Sequence, residues 1–208
     1  MRKLGLFAAA FASFALYGAA VADPVDNPGP FNLHFDNGSL VLGALAPFTI
    51  DSLDISGQIL DTSGAINIPA DAIVLPDAVI PAPIIGDVIV HFRALQDATG
   101  NLNALTGDMT ATLALRVGLE NQFLPAGCGI TPDPLVLTSG TDGGLMGIPY
   151  SPDTVDVTLV NNSFGVPRSD GCGLFGGAID SAVGLPSPPG ANSLDQLHGT
   201  FDTQFTGS

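Results

Sequence analysis

Proline decides where this chain can build a sheet. Its ring has no N–H to donate to a ladder, which keeps it out of central strands. All 17 prolines fall outside five windows: Phe31–Ala46, Phe48–Ile68, Ile84–Leu124, Asp153–Val166 and Gly190–Ser208. Strands are therefore expected inside these windows. The longest window holds the strongest pattern. From Gly107 to Leu119, the residues Met109, Ala111, Leu113, Leu115, Val117 and Leu119 alternate with Thr110, Thr112, Ala114, Arg116 and Gly118. Period two over that length marks a half-buried strand. A helix would scatter Met109, Ala111 and Leu119 around its axis. Gly86–Leu95 alternates as well, with Val88, Val90, Phe92 and Ala94 on one face. The two stretches are read as the central pair of a sheet, joined by turn material over Gln96–Thr106.

The other windows follow the same logic. Asp36-Asn37-Gly38, between Phe31–Phe35 and Leu40–Leu45, carries a strong hairpin signal, and Asp61-Thr62-Ser63-Gly64 marks a second turn before Ile68. Pro69–Pro83, with four prolines, is expected to cross extended without joining a ladder. Further strands are expected at Leu135–Thr138, Thr154–Val160 and Leu197–Phe205, and a helical turn or two at Ala178–Leu185. Nineteen of the 20 acidic residues are Asp, Glu120 being the exception, and Asp favours turns where Glu favours helices. About eight strands at irregular spacing predict an all-β chain: one antiparallel β-sandwich of Greek-key or jelly-roll type, over 23–208. A membrane β-barrel also alternates, but with no Trp and only Tyr17 and Tyr150 the chain lacks aromatic girdles.

The first 22 residues read as a signal peptide. Arg2 and Lys3 precede the apolar Leu4–Tyr17, and Ala20-Val21-Ala22 is an A-x-A cleavage site. The apolar run is shorter than the roughly 20 residues of a membrane span. The mature chain is thus expected to be secreted or held peripherally in the extracellular cell envelope. It would keep only Arg93, Arg116 and Arg168 against 20 acidic residues, a formal charge of 3 − 20 = −17. Without clustered Lys and Arg, nucleic acid and anionic lipid surfaces are excluded as partners. With no lysine, an internal Lys–Asn isopeptide crosslink is impossible too. In an exported chain, Cys128 and Cys172 are expected to form a disulfide, the alternative being two free or intermolecular thiols.

Motifs with chemical potential each have a plainer reading. Leu60-Asp61-Thr62-Ser63-Gly64-Ala65 resembles an aspartic-protease signature, but Ser63 breaks the spacing and a hairpin turn is expected. His34, His91 and His198 fall on polar strand faces; they could ligate zinc only if those strands were neighbours. Separate exposed histidines are the expected outcome. Asp51/Asp54, Asp142 and Asp153/Asp156 could offer calcium hard oxygen ligands, although no D-x-D-x-D-G loop occurs. The chain has no G-x-S-x-G elbow. The glycines of Gly171-Cys172-Gly173 and Phe175-Gly176-Gly177 serve backbone geometry, since no strand–loop–helix with Lys surrounds them. No catalytic, cofactor or metal residue is assigned.

From Leu124-Pro125-Ala126-Gly127-Cys128 onward, the chain resembles exported actinobacterial proteins of unassigned function. The pattern runs through Pro134-Leu135-Val136-Leu137-Thr138, Pro149-Tyr150-Ser151, Val157-Thr158-Leu159-Val160 and Asn162-Ser163-Phe164. It continues through Val166-Pro167, Gly171-Cys172-Gly173, Gly184-Leu185-Pro186-Ser187 and Gly190-Ala191-Asn192-Ser193. This resemblance implies an envelope-associated or secreted all-β protein with paired cysteines. The expectation for function is a non-enzymatic envelope or surface protein acting through protein–protein or self-association. An oligomeric pore with an acidic lumen is the alternative, and a secreted hydrolase the third reading.

Overall fold

A computed structural model describes residues 28–82, 85–103, 108–139, 155–161 and 163–203. The expected signal peptide at 1–22, together with Asp142, Tyr150 and Asp153, lies outside the described residues. In chain order the strands are β1 (Gly29–Val41), β2 (Phe48–Ile50), β3 (Leu53–Ile59), β4 (Ala65–Ile68), β5 (Ala78–Ala82), β6 (Gly86–Ala94) and β7 (Ala98–Leu102). There follow β8 (Met109–Leu113), β9 (Leu115–Glu120), β10 (Gly129–Ile130), β11 (Leu135–Thr138), β12 (Val155–Asn161), helix α1 (Gly176–Val183) and β13 (Ser193–Thr203).

The all-β prediction holds, but the main sheet is a closed barrel and not a sandwich. Its order is β1-β3-β4-β7-β8-β11-β12-β13, and β13 pairs back onto β1 from Phe31↔Thr203 to Val41↔Ser193. Around the ring the strands follow one another in chain order, all antiparallel, with β2 added beside β1. Two excursions leave this meander, β5–β6 after β4 and β9–β10 after β8. They form a second sheet in the order β10-β9-β6-β5. Alternation shows which side of a strand is buried, but a sheet closed on itself and a sheet facing another give the same pattern. Only the long-range register between β1 and β13 separates them.

The inside of the barrel is the core. Phe31, Leu33 and Phe35 of β1, Met109 and Ala111 of β8, and Val157, Leu159 and Phe201 from the closing strands are all buried. The Phe31 and Phe201 rings stack with centroids 5.1 Å apart. Gly57 makes room for Phe31, because a Cβ there would lie 2.3 Å from the ring. An eight-stranded barrel is just wide enough to be filled by side chains, and the residual void inside measures about 40 Å³ with an apolar lining. The outward positions carry Asn32, His34, Asp54, Ser56, Gln58, Thr110, Thr112 and Asp156, none of them buried. That sidedness is the inverse of a membrane barrel, which shows an apolar band to lipid.

Three local expectations are corrected. Asp36-Asn37-Gly38 makes no turn; β1 runs straight through it, and irregular register against β13 at Phe35/Asn37 and Asn37/Ser39 absorbs the turn-forming residues as bulges. The supposed linker Gln96–Thr106 contains β7, which pairs with β8. The central pair is real: β6 and β9 pair from Ala94↔Leu115 to Ile89↔Glu120. It continues into β7 and β8, so one long bent hairpin is shared by both sheets. Pro69–Pro83 does join a ladder, as β5. Being the edge of the second sheet, β5 accommodates Pro81, which lies opposite Asp87. The Asp61 turn stands as expected. Its carboxylate accepts from the Ser63 hydroxyl at 2.6 Å and the Ala65 amide at 3.3 Å, which hold it below the usual carboxylate range.

Candidate functional site

The second sheet and α1 frame the candidate site. Helix α1 ends at Gly184, whose left-handed backbone (φ 73°) sends its N–H to the Asp180 carbonyl. One face of the helix is buried through Ile179, Asp180 and Val183. Asp180 is satisfied there by the Ser169 amide at 2.8 Å, with Arg168 3.7 Å away. The Ala44 amide donates to the Val183 carbonyl at 2.7 Å, tying the helix to the loop after β1.

The expected disulfide is present. Cys128, just before β10, and Cys172, just before α1, are bonded with Cα atoms 4.3 Å apart. Around it the Gly129 and Asp170 backbones exchange two hydrogen bonds, at 3.0 and 2.8 Å. Arg116 of β9 binds both Asp170 oxygens, at 2.6 and 3.1 Å, and the Thr131 hydroxyl at 2.9 Å. This pairing raises the guanidinium pKa and lowers that of Asp170. The crosslink, the ion pair and the bridge together fix α1 against the second sheet.

Between them lies a cleft of about 270 Å³. Ile80, Pro81 and Ala82 of β5, Val88 of β6 and Leu119 of β9 form one wall. Ala178, Ile179, Ala182 and Val183 of α1 form the other, and Leu45 and Ile85 border the ends. Among the described residues, every lining side chain is aliphatic. Three consecutive residues of β5 border the cleft, so it meets the edge of that strand as well as its inner face. Sequence reasoning missed this cleft because its walls come from segments that the chain brings together only in three dimensions. The legible signals were the inner-face alternation of β6 and β9 and the Ala178/Ala182 spacing of four, one face of a helix.

The three histidines form no single cluster. His34 and His198 do lie on paired strands of the barrel, His34 opposite Thr200, two residues along from His198, whereas His91 lies on the second sheet, and each faces a carboxylate. His34 Nδ1 is 2.5 Å from Asp54 and His198 Nδ1 is 3.2 Å from Asp36. His91 reaches two, Asp77 at 2.9 Å through Nδ1 and Glu120 at 3.0 Å through Nε2. Only an imidazolium donates from both nitrogens, and these bonds, Asp77 first, raise the His91 pKa above 6.5. Among the calcium candidates, Asp54 and Asp156 share one row around the barrel, Asp54–His34–Thr200–Asp156. Three strand spacings separate them, about 14 Å. Comparison with protein-family models, with curated proteins and with solved structures finds no match.

Proposed function

We propose that this chain is an exported, non-enzymatic envelope or surface protein that self-associates through the outer face of its second sheet. The observation that carries the reading is a cross-strand apolar pair. Val79 and Ile89 stand opposite each other on β5 and β6, 61% and 40% exposed. Val79 lies on the edge strand β5, which has no ladder partner on its other side among the described residues. Pro81 has no N–H to offer an incoming strand, so contact is made by side chains of the face and not by extending the sheet. The signal peptide, the disulfide and the resemblance to exported actinobacterial proteins support the extracellular setting. Among the described residues no helix is long and apolar enough to cross a membrane.

Size-exclusion chromatography with light scattering, from micromolar to millimolar protein, tests this. The mass should rise above that of one chain with concentration, and Val79→Asp should restore the monomer without lowering thermal stability. A wild-type protein that stays monomeric throughout refutes the proposal. The alternative, an acidic pore, would have to be lined between copies, since the inside of the barrel is packed with apolar side chains. Conductance of the purified oligomer in planar bilayers would favour it. Turnover on a panel of ester, glycoside and peptide substrates would favour the hydrolase.

A further inference from the structure

We propose that the cleft between α1 and the second sheet holds the aliphatic chain of a free single-chain amphiphile whose head group is uncharged or cationic. The lining sets the chemistry. Among the described residues it offers no aromatic ring to stack on, and no charged or hydroxyl side chain to orient a polar group. What it can supply is apolar burial, about 0.8 kcal/mol for each methylene. A volume of about 270 Å³ lies at the lower edge of small-ligand sites, room for one chain and not for a folded partner. A peptide strand is disfavoured at the same place, because Pro81 offers no donor along the β5 edge. Ala178 and Ala182 keep the cleft open, since any larger side chain on that helix face would occupy it.

Charge selects the head group. Ile85 borders both the aliphatic cleft and a surface depression lined by Gly86, Asp87, Ile89, Glu120, Asn121 and Gln122. A head group leaving the cleft past Ile85 and turning round the start of β6 reaches that depression, where the exposed Asp87 carboxylate lies and where Glu120 is held by His91. Beyond residue 3 the only basic residues are Arg93, Arg116 and Arg168, and none of them lines the cleft. An anionic head is repelled there, in a chain of formal net charge −15.

Calorimetric titration of the exported protein with alkyltrimethylammonium ions of increasing chain length, each below its micellar concentration, tests the inference. Affinity should rise about fourfold with each added methylene until the cleft is full, and tetramethylammonium should not bind. Alkyl sulfates of equal length should bind more weakly at low salt, with the gap closing at high salt. Ala182→Phe, at an exposed helix position, should reduce binding at least tenfold while circular dichroism and thermal unfolding stay unchanged. If that variant does not fold, Ala178→Leu is read in its place. Val79→Ser, on the opposite face of the sheet, should leave binding intact. Affinity independent of chain length, full binding by a folded Ala182→Phe protein, or flotation with phosphatidylcholine vesicles without binding of the free chain would each overturn the proposal. A monomer that binds the chain sinks only the self-association reading, because Val79 and Ile89 lie outside the cleft.

Discussion

Asn192→Ala should be among the most destabilising polar truncations in this protein. The side chain is 1% exposed, at the entry to β13. Its Oδ1 accepts from the Gly43 amide at 2.8 Å, and its Nδ2 donates to the carbonyls of Phe164 at 2.8 Å and Pro188 at 3.1 Å. One amide thus joins the loop after β1, the loop after β12 and the turn before β13. On truncation the Pro188 carbonyl keeps the Ala191 amide, and the neighbouring Ser187 carbonyl keeps that of Val166. Among the described residues, the Gly43 N–H and the Phe164 carbonyl are left without their partner. The Phe164 carbonyl is buried and the Gly43 amide half-buried, so at about 1–3 kcal/mol for a fully buried group the loss should be about 2–5 kcal/mol. For a chain of this size, a loss of about 4 kcal/mol lowers Tm by about 8–16 °C. In urea the midpoint should fall with little change in slope. Asn192→Asp should be worse at neutral pH, because a carboxylate oxygen would then face two carbonyls, and should recover as the carboxyl protonates. Ser56→Ala, which removes only an exposed bond to Asn32, should change stability by no more than about 0.5 kcal/mol. A loss below about 1 kcal/mol for Asn192→Ala would refute the accounting, showing that water takes over the role of the amide.

Two further outcomes follow from other junctions. Reducing Cys128–Cys172 frees a loop of 44 positions; the chain-entropy estimate is about 4 kcal/mol, so Tm should drop by about 8–16 °C in calorimetry with and without reductant. An unchanged Tm would show that the Arg116–Asp170 pair and the Gly129–Asp170 bridge alone restrain that junction. The His91 clamp should make stability fall as pH rises. Its pKa is raised in the folded state, so its contribution is complete below the unfolded value of 6.5 and is lost as pH passes the raised one. Denaturant unfolding across that window should show a slope that His91→Asn removes, and an identical slope in the variant would rule the clamp out.

How much of this was legible in the chain depends on the range of the interaction concerned. Proline positions and period-two alternation located β3, β6, β8, β9, β11 and β12, because backbone donors and side-chain burial act residue by residue. The Asp61 turn was legible for the same reason: its carboxylate accepts from the Ser63 amide and hydroxyl and the Ala65 amide, all within four residues. The cysteine pair followed from there being only two in a chain expected to be exported. Asp36-Asn37-Gly38 was misleading, since local turn chemistry there is overridden by a ladder to residues more than 150 positions away. β5 was hidden by Pro81, which only an edge strand tolerates, and the edge is a property of the finished sheet.

Burial was therefore determined by the sequence, strand by strand, as was the turn-rich, helix-poor character that follows from 19 aspartates and a single glutamate. Closure, by contrast, was decided by tertiary structure. Whether alternating strands face a second sheet or curl onto themselves depends on the register of β1 against β13, and no local pattern encodes that register. The cleft has the same origin. Val88 and Leu119 read as inward strand positions, Ile80 as part of an extended crossing segment, and Ala178 and Ala182 as part of a helical turn or two. They became the two walls of a cavity only when the disulfide and the Arg116–Asp170 pair set the helix over the open side of the second sheet.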